Sequence, residues 1–237
     1  MATVTGQLAL PFASSEFHTF DNFILDGNEE LVEHLSAISL GNVAESVITF
    51  VTGGSGDGKT HLLNACCNLA NDNQQIAVYV DLDTADVLTP DMMEGLENCD
   101  LVCIDNIDAI LLNKEWEIAV FDLINRILEK GSVQIILTAQ KMPKLMSFRL
   151  PDLASRLVWG QCMSITPIND PQRLELLKAL AFNAGLQMTE ELANFLITRL
   201  PRDLHSLTQA MKKLDESSLQ AKRKLTIPFA KEVLEIN

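Results

Sequence analysis

The sequence predicts an α/β fold in which helices cover both faces of a parallel sheet, followed by a small all-α lid domain. Two observations carry this prediction. Apolar, β-rich runs alternate with amphipathic stretches through the first two thirds of the chain, and only helical patterns follow Pro167. A glycine-rich turn also joins one early strand to the next helix. Short strands separated by helices are typical of a parallel sheet with both faces covered.

The pattern divides the chain into three parts. Residues 1–16 form a tail that we expect to be mobile, residues 17–166 form the α/β domain, and residues 167–237 form the lid. The predicted strands are Ser46–Val51, Ile76–Asp81, Leu101–Ile104, Val133–Thr138 and Met163–Thr166. The helices predicted in the same part are Asn28–Ser36, Lys59–Leu69, Thr84–Leu88, Pro90–Glu97, Lys114–Lys130 and Asp152–Val158.

Capping residues and prolines set the predicted helices of the lid. Gly185 suits the end of the first helix, because glycine readily takes the left-handed conformation of a C-terminal cap. Thr189 suits the start of the second, because its hydroxyl can accept a free backbone N–H. The predicted lid helices are Pro171–Ala184, Glu190–Arg199, Pro201–Ser217 and Pro228–Glu235.

Charge and cysteine usage limit the classes of partner and compartment. Eighteen basic residues stand against thirty-two acidic ones, a net charge of −14, which argues against broad, unaided binding to a nucleic-acid backbone. The cluster Lys222-Arg223-Lys224 is most simply a solvated loop. The five cysteines contain no C-x-x-C pair, which indicates reduced thiols. No secretory signal and no apolar run of the ~20 residues that span a bilayer is visible, so we expect a cytoplasmic protein with no membrane partner.

The segment from Gly53 to Thr60 carries the strongest chemical signal. It reads G-G-S-G-D-G-K-T, follows an apolar strand and precedes a helix, which is the arrangement of a phosphate-binding loop. Its glycines let backbone N–H groups turn toward phosphate oxygens, where a side chain would collide. Lys59 can reach the outer phosphates and the Thr60 hydroxyl can bind Mg²⁺. The candidate nucleotide ligands are Gly54, Ser55, Gly56, Asp57, Gly58, Lys59, Thr60 and His61.

Asp105 closes the apolar strand Leu101–Ile104 and is the second candidate for holding Mg²⁺, usually through water. Asn106 follows at the position where many ATP hydrolases have a glutamate that polarises the attacking water, and an amide cannot act as a base. Asp108 is the nearest other carboxylate. It either replaces that base or caps the helical turn that follows, and both interpretations stay open. We expect tight nucleotide binding with slow hydrolysis.

Four more polar residues are candidates for the site. Thr138 or Gln140 could bring a polar group to the γ-phosphate, although a plain strand end explains them nearly as well. Arg156 lies in a short amphipathic helix, and Arg202 opens a lid helix. Either arginine could also be an ordinary surface residue.

These motifs in this order resemble the AAA+ ATPases and, within them, the family of the bacterial initiator DnaA. The phosphate loop with its Thr60-His61-Leu62 continuation looks like the DnaA loop. Phe20-Asp21-Asn22-Phe23 looks like the DnaA segment that shields the base, which makes Phe23 a candidate contact. The similarity covers nearly the whole chain from Phe17 onward, and it implies ADP or ATP with Mg²⁺ as the cofactor.

The resemblance gives roles to three residues. Arg156 matches the arginine finger that acts in trans on the γ-phosphate of a neighbouring subunit, and Arg202 matches the lid arginine that senses the nucleotide of its own subunit. Asp105 matches the aspartate that supports Mg²⁺. Gln140-Lys141 replace an Asp-Arg pair expected after the sensor strand, which leaves the role of that sensor open.

From this resemblance we expect the chain to end where DnaA continues into its DNA-binding domain, and to lack the N-terminal helicase-interaction domain of DnaA. This plan is similar to that of a regulatory member of the family. The segment Gln7-Leu8-Ala9-Leu10-Pro11-Phe12 looks like the peptide that docks on the DNA polymerase III sliding clamp (beta subunit). Leu10 and Phe12 are the expected anchors and Gln7 the expected hydrogen-bonding group, with Leu8 and Pro11 beside them. The other interpretation is an ordinary N-terminal strand.

The resemblance implies a negative regulator of DNA replication initiation. Such a protein, bound to nucleotide and to the DNA-loaded clamp, stimulates hydrolysis of the ATP on DnaA and so inactivates it, touching DNA only through the clamp. Its own ATPase activity is expected to be weak, and a finger acting in trans leaves a homo-oligomer open. The alternatives are a helicase-loader-like or other autonomous AAA+ ATPase, and a passive nucleotide-bound clamp adaptor.

Overall fold

The computed structural model describes residues 18–43, 48–201, 204–221 and 223–236, without the side chains of residues 183, 204, 205 and 220. Its strands are β1 (Ile48–Thr52), β2 (Ala77–Asp81), β3 (Leu101–Asp105), β4 (Gln134–Ala139) and β5 (Gln161–Ser164). They form a five-stranded sheet in the order β2-β3-β4-β1-β5. Every neighbouring pair is parallel, as the sequence predicts.

The strand order brings the predicted site residues to one edge of the sheet. β1, which leads into the phosphate loop, lies between β4 and β5. Because all strands run the same way, their carboxyl ends meet at a single edge, where ligands bind in open α/β sheets. The register places Asp81 beside Asp105 and Val51 beside Thr138. The side chains assigned to phosphate chemistry therefore start from neighbouring strand ends.

Helices cover both faces because the strand side chains alternate. The helices are α1 (Glu29–Ser39), α2 (Lys59–Asp72), α3 (Lys114–Lys130) and α4 (Pro151–Val158). Leu101 and Cys103 of β3 pack in the cluster that holds α1 and α2, whereas Val102 and Ile104 pack in the cluster that holds α3 and α4. A strand buried on both faces needs apolar side chains throughout, which explains the unbroken run from Leu101 to Ile104.

A third apolar cluster joins the C-terminal helices, which are α5 (Asp170–Asn183), α6 (Glu190–Arg199), α7 (Leu204–Ala221) and α8 (Ile227–Leu234). Asn169 starts α5 with a capping box: its side chain accepts the Gln172 N–H, and the Gln172 side chain accepts the Asn169 N–H. Two backbone donors that the helix leaves unpaired are satisfied in this way. The helical lid predicted after Pro167 is confirmed. Across the described ranges, none of the helices is both long and apolar enough to cross a membrane.

Two predicted helices are wrong. Residues 84–88 and 90–97 form no α-helix, and short 3₁₀ turns occupy this region at Leu82–Thr84, Pro90–Met93 and Leu96–Asn98. The Asp81 carboxylate accepts the Asp83 N–H and caps the first turn. Gly95 has a φ of 81°, a left-handed conformation that interrupts the run where a helix would continue.

The last strand also differs from its prediction, since β5 spans Gln161–Ser164 instead of Met163–Thr166. The Thr166 N–H donates to the Asn28 side chain at 2.8 Å, so this residue is tied to the start of α1 and not to a strand. Gly160 precedes β5, and a Cβ there would lie 2.2 Å from the Ile48 carbonyl oxygen. Only glycine lets the chain pass this close to β1.

Glu117 of α3 is fully buried and links two loops. Its Oε1 accepts the Leu112 N–H at 2.9 Å, and its Oε2 accepts the Leu150 N–H at 2.8 Å. Leu112 lies in the connection between β3 and α3, and Leu150 is the N-cap residue of α4. A buried carboxylate is tolerated when backbone donors satisfy it, so Glu117 fixes the start of α4 against the connection that follows β3.

We expect Glu117→Ala to lower the free energy of unfolding by about 3 kcal/mol, because it leaves two backbone donors without their acceptor. Chemical denaturation followed by circular dichroism measures this loss. Glu129→Ala, at an exposed position of the same helix, should change the stability by no more than about 0.5 kcal/mol. Equal, small losses in the two variants would show that the Glu117 hydrogen bonds are not needed.

Candidate functional site

The phosphate loop connects β1 to α2 as predicted. The Gly53 N–H donates to the Ala139 carbonyl at 3.2 Å, which ties the start of the loop to β4. Gly56 and Gly58 have φ values of 77° and 101°, conformations that residues with a Cβ avoid. Gly58 is the N-cap residue of α2. The loop therefore turns around a helix N-terminus, where free backbone N–H groups and the helix dipole favour an anion.

Lys59 is buried in the loop that it belongs to, with 6% of its surface exposed. Its Nζ donates to the Gly53 carbonyl at 2.9 Å and to the Gly54 carbonyl at 2.7 Å. Two carbonyl oxygens of the loop thus hold the ammonium group. A charge held there is available to phosphate oxygens.

Asp57 places a carboxylate inside the same loop. Its Oδ2 accepts the Gly54 N–H at 2.5 Å, across the loop. The contact closes the loop on itself and leaves one backbone donor fewer for an anion. The sequence predicts Asp57 as a nucleotide ligand, whereas in the structure its side chain holds the loop together through the Gly54 N–H.

Asp105 is fully buried and accepts three hydroxyl groups. Its Oδ2 accepts the Thr60 hydroxyl at 2.6 Å and the Tyr79 hydroxyl at 3.0 Å, and its Oδ1 accepts the Thr138 hydroxyl. Burial, followed by the charge of Asp105, raises the pKa of Tyr79 far above its ordinary value, so the phenol stays a donor. The structure therefore brings Thr60 and Asp105, the two predicted Mg²⁺ residues, into direct contact.

Asn106 follows Asp105 in a left-handed conformation, with φ at 59°. Its backbone N–H donates to the Thr138 hydroxyl at 3.1 Å, and its Nδ2 donates to Asp81 Oδ1 at 3.1 Å. Asparagine tolerates this backbone conformation better than most residues. The amide at the end of β3 is thus fixed between the two neighbouring strands.

Asp108 does not cap the turn after β3, so that interpretation is wrong. Asn106 is the N-cap residue of the 3₁₀ turn Ile107–Ile110. Both Asp108 oxygens accept the backbone N–H of Gln140 instead, at 2.9 and 3.1 Å. Asp108 therefore holds the end of β4, and the Thr138 hydroxyl is committed to Asp105.

Carboxylates gather along this edge of the sheet. Burial, together with the charges of Asp81, Asp105 and Asp108, raises the pKa of Asp83, and Lys59 opposes the shift. These groups are close enough to influence one another electrostatically. Within the described part of the chain, however, no group of three or more acidic, histidine or cysteine side chains has the geometry to hold a metal ion.

The segment before α1 packs beside the phosphate loop. His61 Nε2 donates to the Thr19 carbonyl at 2.8 Å, and the Phe23 ring centroid lies 5.8 Å from that of His61. His18 meets His61 edge to face, with centroids 5.1 Å apart. Burial lowers the pKa of both histidines, so both favour the neutral form. The structure brings together His61 and Phe23, which the sequence predicts separately as nucleotide contacts.

Arg156 lies on α4 with a guanidinium group that no described carboxylate pairs. Arg126, Arg173 and Arg223 each form an ion pair with a carboxylate. The Arg156 Cζ lies 4.2 Å from the ring centroid of Trp159 instead. This arrangement leaves the charge of Arg156 without a structural ion pair.

Several predicted site residues lie outside the described residues: Arg202, Lys222 and the segment Gln7–Phe12. The structure adds Tyr79, Asp81, Glu117 and Trp159, which sequence reasoning missed. Asp81 ends a predicted strand beside Asp105, and that position was a usable signal. Tyr79 and Glu117 carried no signal in the sequence, because the residues that they contact are distant in the chain.

Folding lowers the pKa of His18 and His61, so the unfolded chain takes up protons first as the pH falls below about 6.5. The stability due to the neutral histidines is complete above that pH and decreases below it. We expect Tm to fall between pH 7.5 and 5.5, and to fall less in His61→Gln, whose amide can still donate to Thr19. Thermal unfolding across this pH range measures the difference, and parallel curves for the two proteins would contradict the assignment. His34, whose pKa is also lowered by burial, contributes to the same fall, so it is kept in both proteins.

Comparison with known proteins identifies the family. Residues 15–164 match the bacterial DnaA ATPase domain, and residues 170–234 match the lid domain of Hda. An uncharacterized protein of Haemophilus influenzae is 41% identical over 230 residues, which cover 97% of this chain and 99% of that protein.

Solved structures share the fold at low identity. Domain III of the Thermotoga maritima replication initiation protein DnaA has a TM-score of 0.78 at 22% identity, covering 92% of this chain and 95% of its own. AMPPCP-bound DnaA from Aquifex aeolicus has a TM-score of 0.71 at 21% identity, covering 86% and 66%. The Thermotoga maritima RuvB branch migration motor has a TM-score of 0.67 at 15% identity, covering 92% and 71%. With its ATPase domain matched to DnaA and its lid to Hda, the chain belongs to the DnaA-related AAA+ family as an Hda-like member.

Proposed function

We propose that this chain binds ADP or ATP at the phosphate loop. The left-handed glycines, the helix N-terminus and the buried Lys59 ammonium together form a cradle for a polyphosphate. The Phe23 and His61 rings lie beside that cradle on the side where the chain enters the α/β fold. Among its relatives in structure, DnaA from Aquifex aeolicus holds AMPPCP, an ATP analogue.

Mg²⁺ fits the same site. The Thr60 hydroxyl and the Asp105 carboxylate lie 2.6 Å apart, and both are the hard oxygen ligands that Mg²⁺ prefers. The ion takes few protein ligands and completes its shell with phosphate and water oxygens, so one hydroxyl and one carboxylate suffice. Bound there, it would neutralise charge on the phosphates.

The function that the geometry supports best is stimulation of ATP hydrolysis on DnaA by Arg156. The observation that carries this proposal is the guanidinium of Arg156, which no described carboxylate pairs, on a helix whose backbone is fixed by Glu117. Arg126, Arg173 and Arg223 form ion pairs, whereas Arg149 and Arg199 have no described carboxylate partner. Arg156 differs from those two because its guanidinium lies over the Trp159 ring. In a chain related to DnaA, an unpaired arginine at this place is suited to reach the phosphates of a DnaA subunit.

Intrinsic hydrolysis should be slow, because neither of the two candidate positions after Asp105 supplies a free carboxylate as the base. Asn106 is an amide, and its Nδ2 is held by Asp81. Both oxygens of Asp108 accept the Gln140 N–H, so Asp108 serves to hold the end of β4. The nucleotide of this chain would then set its conformation, while the hydrolysed ATP belongs to DnaA.

The sliding clamp completes the proposal. A peptide of the Gln7–Phe12 kind would hold the chain on DNA-loaded clamp, so an acidic protein with a net charge of −14 needs no DNA contact of its own. This makes it a cytoplasmic negative regulator of replication initiation.

We expect Lys59→Ala to weaken binding of fluorescent ADP and ATP by about 10- to 100-fold, since it removes a charge-assisted hydrogen bond to phosphate. Titration in the presence of Mg²⁺ measures the affinity, and chelation of Mg²⁺ should weaken binding to wild type. Lys114→Ala, an exposed lysine at the start of α3, is the matched control. If Lys59→Ala bound nucleotide with unchanged affinity, the phosphate loop would not be the nucleotide site.

We expect Arg156→Ala to abolish the stimulation of ATP hydrolysis on ATP-loaded DnaA in the presence of clamp on DNA. Arginine fingers contribute ~10³–10⁵ in rate, and lysine lacks their planar fork, so Arg156→Lys should fail as well. Release of phosphate from labelled ATP on DnaA measures the rate.

Arg149→Ala is the matched control, because Arg149 is an exposed arginine in the loop before α4. It should keep full stimulation. Omitting the clamp, or replacing Phe12 by alanine, should reduce stimulation without touching Arg156. Turnover by the isolated chain at the rate of the full mixture would favour an autonomous ATPase, and stimulation that survives in Arg156→Ala would favour a passive clamp adaptor.

A further inference from the structure

Trp159 is a large aromatic residue that the fold does not bury. It is the C-cap residue of α4, and 69% of its surface is exposed. The second tryptophan of the chain, Trp116, is 3% exposed in the core. Exposed tryptophan beside arginine is the composition of an interaction surface, since both residues are enriched where partners bind.

The Arg156 guanidinium lies over the indole ring of Trp159. The Arg156 Cζ lies 4.2 Å from the indole centroid, within the range of a cation–π contact. The backbone N–H of Trp159 donates to the Arg156 carbonyl at 3.1 Å, so the two residues share the last turn of α4. Side chains three positions apart on a helix lie on one face, which makes the contact a local one.

Stacking holds an arginine differently from an ion pair. A guanidinium group stacks through its flat face, whereas its N–H donors lie in the plane and point outward. A carboxylate partner would occupy those donors, as Glu97 does for Arg126 and Glu232 does for Arg223. The contact with Trp159 therefore limits the positions of the Arg156 side chain, and no described carboxylate occupies the donors that phosphate oxygens would need.

The backbone of α4 is fixed at its other end. Glu117 accepts the N–H of Leu150, the N-cap residue of this helix. Leu153 and Leu157 are fully buried against the core. Because the helix backbone is held, the conformational freedom that Arg156 still has to lose before it binds a phosphate is that of its side-chain rotamers.

We propose that Trp159 is the positioning residue of Arg156: its indole face holds the guanidinium ready in the free chain and becomes covered when Arg156 engages the phosphates of the partner ATPase. This role rests on the proposed action of Arg156 on DnaA. Preorganisation of this kind lowers the entropic cost of engagement, so its loss reduces the stimulated rate.

The stack is tested first in the free chain. In a Trp116→Phe background, Trp159 is the remaining tryptophan and its fluorescence reports on its own surface. Arg156→Ala should raise the acrylamide quenching constant by up to about twofold, because it uncovers one of the two indole faces. Arg149→Ala should leave the constant unchanged. Equal quenching with and without the Arg156 side chain would overturn the proposal.

The role is tested next in the stimulated reaction. Trp159→Ala should lower the maximal stimulated rate by about 2- to 5-fold, the equivalent of a ~0.5–1 kcal/mol cation–π contact at an exposed site, and Trp159→Phe should restore most of it. Because Arg156→Ala already abolishes stimulation, rescue by Trp159→Phe is the result that separates positioning of the arginine from a general effect on folding. A full rate in Trp159→Ala, or no rescue by Trp159→Phe, would overturn the proposal.

The two sets of measurements separate the failure of this proposal from the failure of the proposed function. If the wild-type chain did not stimulate ATP hydrolysis on DnaA, both the proposed function and the role of Trp159 would be rejected, whatever the quenching shows. Stimulation that needs Arg156 but is indifferent to Trp159 would leave the function standing and remove the role of Trp159 alone.

Discussion

The rest of the site depends on how the buried carboxylate of Asp105 is satisfied. A fully buried anion is costly unless donors surround it, and here the hydroxyls of Thr60, Tyr79 and Thr138 do so. These three residues stand on α2, β2 and β4, so one charge fixes the helix after the phosphate loop against both neighbours of β3. For this reason the positions of the loop, the strand ends and the turn after β3 are fixed relative to one another. Whatever binds at this edge meets a surface that is already ordered.

A second set of contacts leads from that centre to the surface that carries Arg156. The turn Ile107–Ile110 follows Asp105, and Asp108 within it holds the end of β4. The connection then reaches Leu112, where Glu117 joins it to the start of α4. The start of α4 is therefore tied to the α/β domain through Glu117, and the exposed side chains of this helix are available to a partner. A held helix backbone with exposed side chains suits a protein that contributes a side chain to a reaction on another molecule.

Local patterns predicted most of the fold, and tertiary contacts decided what they missed. The helices Lys114–Lys130 and Glu190–Arg199 have the predicted bounds, because periodicity and caps define them. The prediction of helices in the region 84–97 was wrong, because contacts with α3 hold this region in short turns. Arg126 of α3 donates to the Met93 carbonyl and to Glu97. The phosphate loop and Asp105 were visible in sequence because spacing alone specifies them. Tyr79, Glu117 and the Gln140 partner of Asp108 were not, since each contact joins residues distant in the chain.

The short edge strand β5 has a consequence for solubility. It contains four residues, and both Gln161 and Ser164 are exposed. Edge strands carry unpaired backbone groups that can recruit other chains, and brevity limits how many such hydrogen bonds a second copy could form. The net charge of −14 adds repulsion between copies. Both properties oppose aggregation in a molecule that keeps a tryptophan exposed on its surface.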